Sequence, residues 1–185
     1  MLNLQKIQAM KRIKKEYHET RERLFPNTSM TIGLPDEDNI FKWRIVFGGP
    51  IDSSYKGGIY EMYVEFPDDY PTNPPKVVFI TPIYHLNINP YKSNIPGAEP
   101  LGQVSISTLY LWKPEYTTEE LLTNIFCLLY NPNPDSPYGL DRAYEFRTNR
   151  QLYEDKIKYF TKKYANPLSN WTKKYEESWD FSYKQ

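Results

Sequence analysis

The chain has 185 residues, with Lys+Arg and Asp+Glu balanced at 23 each, so net charge supplies no footprint for nucleic acid or an anionic membrane surface. No apolar run approaches the ~18 residues of a membrane span. One cysteine and two histidines far apart in sequence, His18 and His85, exclude an intramolecular disulfide and leave no zinc-type spacing, so neither a metal nor another cofactor is expected.

Residues 1–10 lack the basic-then-apolar layout of a signal peptide, which makes cytosol or nucleus the expected compartment. Leu4, Ile7, Met10 or Lys11, Ile13 or Lys14, and Tyr17 fall at helical spacing with lysines and Arg12 around them, predicting an amphipathic basic helix over 4–20 that Pro26 stops. Three β-rich runs follow at 30–34, 40–47 and 55–66, punctuated by Gly48-Gly49-Pro50 and Lys56-Gly57-Gly58, and a fourth at 76–80 comes after a proline-rich loop. An antiparallel meander is the economical arrangement. Residues 81–114 show no sustained period, which in a compact domain marks a functional loop. A helix is predicted over 118–130, capped by Thr117 or Thr118, with Glu119 and Glu120 in its first turn and Leu121, Leu122, Ile125, Phe126, Leu128 and Leu129 in the core. Residues 141–164 read as one or two further helices. The order describes an α+β domain with the first helix lying on the sheet.

Several segments are specific enough to carry a resemblance. They are Ala9-Met10-Lys11-Arg12-Ile13-Lys14-Lys15-Glu16, the Gly48-Gly49-Pro50 and Tyr55-Lys56-Gly57-Gly58 turns, and the loop Phe66-Pro67-Asp68-Asp69-Tyr70-Pro71-Thr72-Asn73-Pro74-Pro75-Lys76-Val77. Next come Ile83-Tyr84-His85-Leu86-Asn87-Ile88, Trp112-Lys113-Pro114, Leu128-Leu129-Tyr130-Asn131-Pro132-Asn133-Pro134-Asp135-Ser136-Pro137, and Tyr164-Ala165. In this order they resemble the ubiquitin-conjugating enzyme family. The resemblance implies a ubiquitin-conjugating enzyme-like fold: an N-terminal helix on a four-stranded antiparallel meander, then C-terminal helices. It assigns residues 1–165 to that domain and leaves 166–185 as an aromatic extension.

The departures bear on function. Where the family carries the thiol that holds ubiquitin as a thioester, this chain reads Gly102-Gln103-Val104-Ser105. A one-residue slip would put Val104 there, and neither is a thiol. An insertion over 91–100 separates the slot from His85, and Leu86 replaces the proline of the family's His-Pro-Asn turn, removing its restraint on φ. Asn87 matches the asparagine that stabilises the oxyanion or shapes the loop, and Ser136 stands where many members carry an aspartate beside the attacking lysine. Serine needs an adjacent base to act as a nucleophile, and the sequence offers none; His85 serves loop structure in the family. No catalytic residue is therefore expected, with Ser105, Asn87 and His85 as a degenerate remnant. Cys127 sits in the apolar run 125–129 and reads as a small buried hydrophobe.

By resemblance, Lys11 and Arg12 match first-helix contacts with the activating enzyme, and Pro114 belongs to the ligase-facing loop. That face is altered, since Thr72 stands at a position often held by phenylalanine and Glu115 at one held by a small residue. In the extension Trp171, Tyr175 and Trp179 recur every fourth residue, the pattern of one helix face, either packed on the domain or docking a partner; Trp171 and Trp179 are candidate partner contacts. The leading expectation is a catalytically inactive variant acting as a binding or regulatory module. Its expected partners are ubiquitin or a ubiquitin-like protein, an active conjugating enzyme or a ligase, with neither nucleic acid nor membrane. The alternatives are an active enzyme with an unconventional nucleophile, Cys127 or Ser105, and a structural adaptor outside the ubiquitin pathway. Richness in Tyr, Asn, Ile and Lys is compatible with an AT-rich genome such as a virus's, which would place the protein in a host cell.

Overall fold

Helix α1 (Leu4–Leu24) opens the computed structural model, which describes residues 4–24 and 29–166. It runs past the expected end at residue 20, with Arg21 and Arg23 in its last turn, where cations favour the carbonyl end of the helix dipole. Its buried stripe is Ala9, Ile13, Glu16, Tyr17 and Thr20, displaced from the expected one, and Leu4 is exposed.

Strands β1 (Met30–Gly33), β2 (Lys42–Gly48), β3 (Ile59–Glu65) and β4 (Lys76–Phe79) form the antiparallel sheet β1-β2-β3-β4. The β2–β3 register sets Ile45 opposite Met62 and Val46 opposite Glu61. Alternation of side chains sends Trp43, Ile45 and Phe47 of β2 inward with Tyr60, Met62 and Val64 of β3 and Val77 and Phe79 of β4. Tyr17 and Trp43 meet edge to face, with centroids 5.3 Å apart, joining α1 to this core. The run expected as strand over 55–66 starts pairing only at Ile59. Turns come first, closed by Lys56 N–H to the Ser53 carbonyl and Gly58 N–H to that of Tyr55.

The aperiodic stretch holds only the short helix α2 (Ser107–Tyr110). Helix α3 (Thr118–Tyr130) starts with a capping box in which the Thr117 side chain accepts from the Glu120 N–H and Glu120 reaches back to Thr117 N–H. A second anchor is the buried Glu16 of α1. Its carboxylate accepts from Thr118 N–H at 2.9 Å, Thr118 Oγ1 at 2.6 Å and Tyr70 OH at 2.8 Å, and pairs with Arg12. One carboxylate thereby ties α1, the proline-rich loop and the positive end of α3 together.

Leu121, Leu122, Ile125, Leu128 and Leu129 of α3 are buried, whereas Phe126 is half-buried and Cys127 is exposed. The expectation of a buried Cys127 is thus corrected. At 3.6 residues per turn, position 127 shares a face with the exposed Thr123, Asn124 and Tyr130 and not with the leucines beside it in sequence. Helices α4 (Leu140–Thr148) and α5 (Arg150–Tyr164) separate at Asn149, whose side chain caps α5 by accepting from Leu152 N–H. The end of α5 is fastened to the start of β3 by Ile59 N–H on the Ala165 carbonyl, 2.7 Å. No described helix is long and apolar enough to cross a membrane.

Candidate functional site

The segment 84–89 is buried throughout, so each of its polar groups requires a partner. The Tyr84 carbonyl accepts from Tyr55 OH (2.9 Å), the His85 carbonyl from Arg142 Nη1 (3.1 Å), and the Leu86 carbonyl from Tyr138 N–H (2.8 Å). His85 Nε2 lies 3.0 Å from the Leu128 carbonyl and Nδ1 accepts from Asn87 N–H at 3.0 Å. Because a carbonyl only accepts, the proton resides on Nε2 and the ring is neutral. Burial drives its pKa down to about 4, and the nearby Arg142 cation acts in the same sense.

Leucine at position 86 adds something that a proline lacks, a backbone N–H donor. That N–H points to the Tyr153 hydroxyl of α5 at 3.1 Å, and the Leu86 side chain is fully buried. The replacement is accommodated by packing and by one tyrosine. Asn87 is engaged through its whole amide: Nδ2 donates to the carbonyls of Asn133 (2.8 Å) and Ser136 (2.9 Å), and Oδ1 accepts from Asn133 N–H (2.8 Å). It clamps the 133–136 segment to the turn, and both amide hydrogens are in use.

Ser105 follows directly. Gly102, at φ 84°, supplies a left-handed residue that turns the chain; Val104 then bridges Ile88, and Ser105 N–H donates to the Asn87 carbonyl at 2.8 Å. The Ser105 Oγ–H reaches the Ser136 carbonyl over a long 3.5 Å, so the Tyr110 hydroxyl, 3.0 Å away, is the donor to Oγ. Both ring nitrogens of His85 are bonded elsewhere, and among the described residues no general base stands at the serine hydroxyl.

Ser105 lines a groove of about 460 Å³ between α2 and α3, together with Tyr110, Leu111, Asn131, Ser136 and the exposed Cys127. A neighbouring hollow of about 520 Å³ shares Thr108 and Asn124 with it and extends the depression along α3 to Arg23. The sequence placed Cys127 and Ser105 in unrelated segments; the fold brings them to one cavity. Helical phase was the signal that could have exposed the thiol. The inserted stretch 91–100 is exposed along its length and is pinned at its ends. Asn89 Nδ2 donates to the Glu99 and Pro100 carbonyls at 3.1 and 3.0 Å, Tyr138 OH donates to Glu99, and Tyr91 OH reaches Asp141 at 3.3 Å.

The candidate partner residues fare differently. Lys11 is exposed, while the neighbouring Arg12 is drawn inward, bonded to Glu16 and donating to the Tyr116 carbonyl at 3.2 Å. Pro114, Glu115 and Thr72 are exposed, and their two loops are joined by Trp112 Nε1 on the Pro71 carbonyl at 2.8 Å. Trp171 and Trp179 lie outside the described residues. Comparison with protein families finds a match to the model described as ubiquitin-conjugating enzyme over residues 12–161, which takes in the turn, the serine and the groove.

Proposed function

Because the chain belongs to the ubiquitin-conjugating enzyme family, and with it to the ubiquitin pathway, we propose that it is a catalytically inactive variant that acts as a binding or regulatory module for ubiquitin or a ubiquitin-like protein. The observation that carries this reading is the state of Ser105, a hydroxyl in the thiol's place that donates to one carbonyl and accepts from Tyr110 without a base beside it. An alcohol so held, with no base to take its proton, attacks an activated carboxyl group far more slowly than a thiolate, and an ester, if made, would pass its acyl group to an amine far less readily than a thioester. Support for retained binding comes from the turn, which keeps the groove's wall in place through Asn87 and His85 although no nucleophile stands at position 105. Domains of this family bind ubiquitin, activating enzymes and ligases. Lys11 on α1 and Pro114 in the paired loops are the surface residues we assign to such contacts, with Arg12 shaping the 112–118 segment from beneath. Residues 1–165 form the binding domain in this reading, and 166–185, with Trp171 and Trp179, an extension available to partners.

A second reading has its own observation. Cys127 is an exposed thiol in the same groove as Ser105, which favours an active enzyme with a displaced nucleophile over any chemistry at the serine. Incubation with activating enzyme, ATP and labelled ubiquitin, analysed with and without reductant, separates the two. We expect no reductant-sensitive adduct, together with saturable non-covalent binding of ubiquitin that perturbs backbone amides lining the groove. An adduct that vanishes in Cys127→Ala would establish the displaced nucleophile. Absence of both adduct and binding would remove the ubiquitin role and leave a structural adaptor.

A further inference from the structure

Sharing no residue with the Ser105 groove, an open depression of about 320 Å³ lies between the turn before β3 and the last turns of α5, lined by Ser54, Lys56, Gly57, Lys158, Thr161, Lys162 and Asn166. Three exposed lysines line one depression, and among the described residues its lining contains no carboxylate. Lys158 approaches Asp155 only at 3.8 Å, and among the described residues Lys56 and Lys162 have no ion-pair partner. In a chain of zero net charge this is a local concentration of positive charge.

The helix dipole explains part of it, because lysines are favoured near the carboxyl end of α5. It does not explain Lys56, which comes from another element. Nor does it favour placing Lys158 and Lys162 four residues apart on one helix face, where like charges repel. The cavity is also fixed in shape. A Cβ on Gly58 would stand 2.8 Å from Thr161 Cγ2, so the turn and α5 are in direct contact. Tyr60 OH and Thr161 Oγ1 are bonded at 2.8 Å, and the Ala165 carbonyl is occupied by Ile59 N–H. The Ser54 hydroxyl and the Gly57 N–H take part in none of the hydrogen bonds among the described residues, adding two neutral donors to the three charged ones. Charges of one sign together with neutral donors, around a volume at the small end of ligand sites, call for a compact anion.

We propose that this pocket is a binding site for a ligand carrying two or more clustered phosphate groups, held by Lys56, Lys158 and Lys162 with Ser54 and Gly57 donating between them. Lysine suits this role as a point charge for phosphate oxygens. The site is independent of the groove and of what the groove binds.

The test is a titration of the full chain with tripolyphosphate, followed by calorimetry and backbone amide shifts. Shifts are expected at Ser54 to Gly57 and Lys158 to Lys162. The triple variant Lys56→Ala, Lys158→Ala, Lys162→Ala should bind at least tenfold more weakly, whereas the charge-matched triple Lys11→Ala, Lys14→Ala, Lys15→Ala on α1 should change affinity less than twofold. Co-sedimentation with phosphatidylcholine vesicles, with and without phosphatidylinositol 4,5-bisphosphate, distinguishes a headgroup from a free phosphate ligand; binding in either arm that depends on the three lysines supports the site. Equal losses in the two triples, or no amide shifts at the pocket, would overturn it. The residues beyond 166 include Glu176, Glu177 and Asp180. If tripolyphosphate binds only after these are changed to Gln, Gln and Asn in the full chain, the lysines serve the chain's own carboxylates and the external ligand is refuted.

Discussion

The turn over 84–89 and the groove beside it are neighbours built on opposite principles. In the turn, successive backbone carbonyls and both ends of the Asn87 amide are bonded, the carbonyls of Tyr84 and His85 to side chains of distant elements and the amide to backbone groups of the 133–136 segment. Across the groove, Cys127 and the aromatic and aliphatic side chains of Tyr110 and Leu111 stand exposed. The contrast is between a wall braced by hydrogen bonds and an open side on which the thiol of Cys127 is accessible. The wall here is anchored chiefly by the Asn87 amide, at 2.8 to 2.9 Å, and residue 105's side chain adds only a long 3.5 Å bond to the Ser136 carbonyl. Tests of the comparison therefore perturb the wall first and the open side last.

The largest effect is expected from acid. His85 is neutral and buried with a pKa of about 4, below its ordinary value of 6.5. The unfolded chain takes up the proton first as pH falls, so the folded state keeps the full contribution above about pH 6.5 and loses it progressively down to about pH 4. The loss over that window is about 3 kcal/mol. Urea unfolding at pH 7, 5.5 and 4.5, with the His85 ring followed by NMR, checks both the size and the sign. A ring that titrates near its ordinary value would show that the turn opens to water and that the wall is not rigid.

Tyr153 comes next. Tyr153→Phe leaves the Leu86 N–H buried without its acceptor, which costs about 1–3 kcal/mol. In Leu86→Pro that N–H no longer exists, and although this substitution also gives up leucine packing, the added cost of Tyr153→Phe should shrink. Denaturant melts of the four proteins of this cycle measure the coupling. Equal costs of Tyr153→Phe in both backgrounds would mean that the hydroxyl supports something other than the leucine turn.

How much of this was legible beforehand depends on distance along the chain. The turn itself, 83–88, stood out as a motif, and the four strands and the helix at 118–130 followed from periodicity and caps that act within a few residues. The partners of the turn did not stand out, because Tyr55, Arg142 and Tyr153 lie 29, 57 and 67 residues from the groups they bind. Nothing local marks a tyrosine as the acceptor for a leucine N–H. Arg12 was misleading for the same reason: it reads as one cation of a basic helix face, yet Glu16 and the Tyr116 carbonyl draw it inward. The 55–66 run was overextended because its alternation begins inside turns whose hydrogen bonds are already used. Cys127 failed differently. Its neighbours in sequence are apolar, but its neighbours on the helix surface, Thr123, Asn124 and Tyr130, are exposed, and helical phase determines burial more strongly than local hydrophobicity does.

That last point gives the smallest expected effect and the sharpest test of the groove's open side. A buried cysteine replaced by serine would place an unpartnered hydroxyl among leucines and cost more than 1 kcal/mol. At an exposed position the new hydroxyl meets water, so Cys127→Ser should alter stability by no more than about 0.5 kcal/mol. The native protein should also react with a maleimide to one equivalent, at a rate that stays the same when denaturant is added below the unfolding transition. Ubiquitin, bound without a covalent bond, should then slow the labelling if it lies in the groove, because Cys127 shares that cavity with Ser105. Labelling that proceeds only through unfolding would return the thiol to the core and close the groove on that side. Rapid labelling that ubiquitin leaves untouched would keep the thiol exposed and place the modifier on another face.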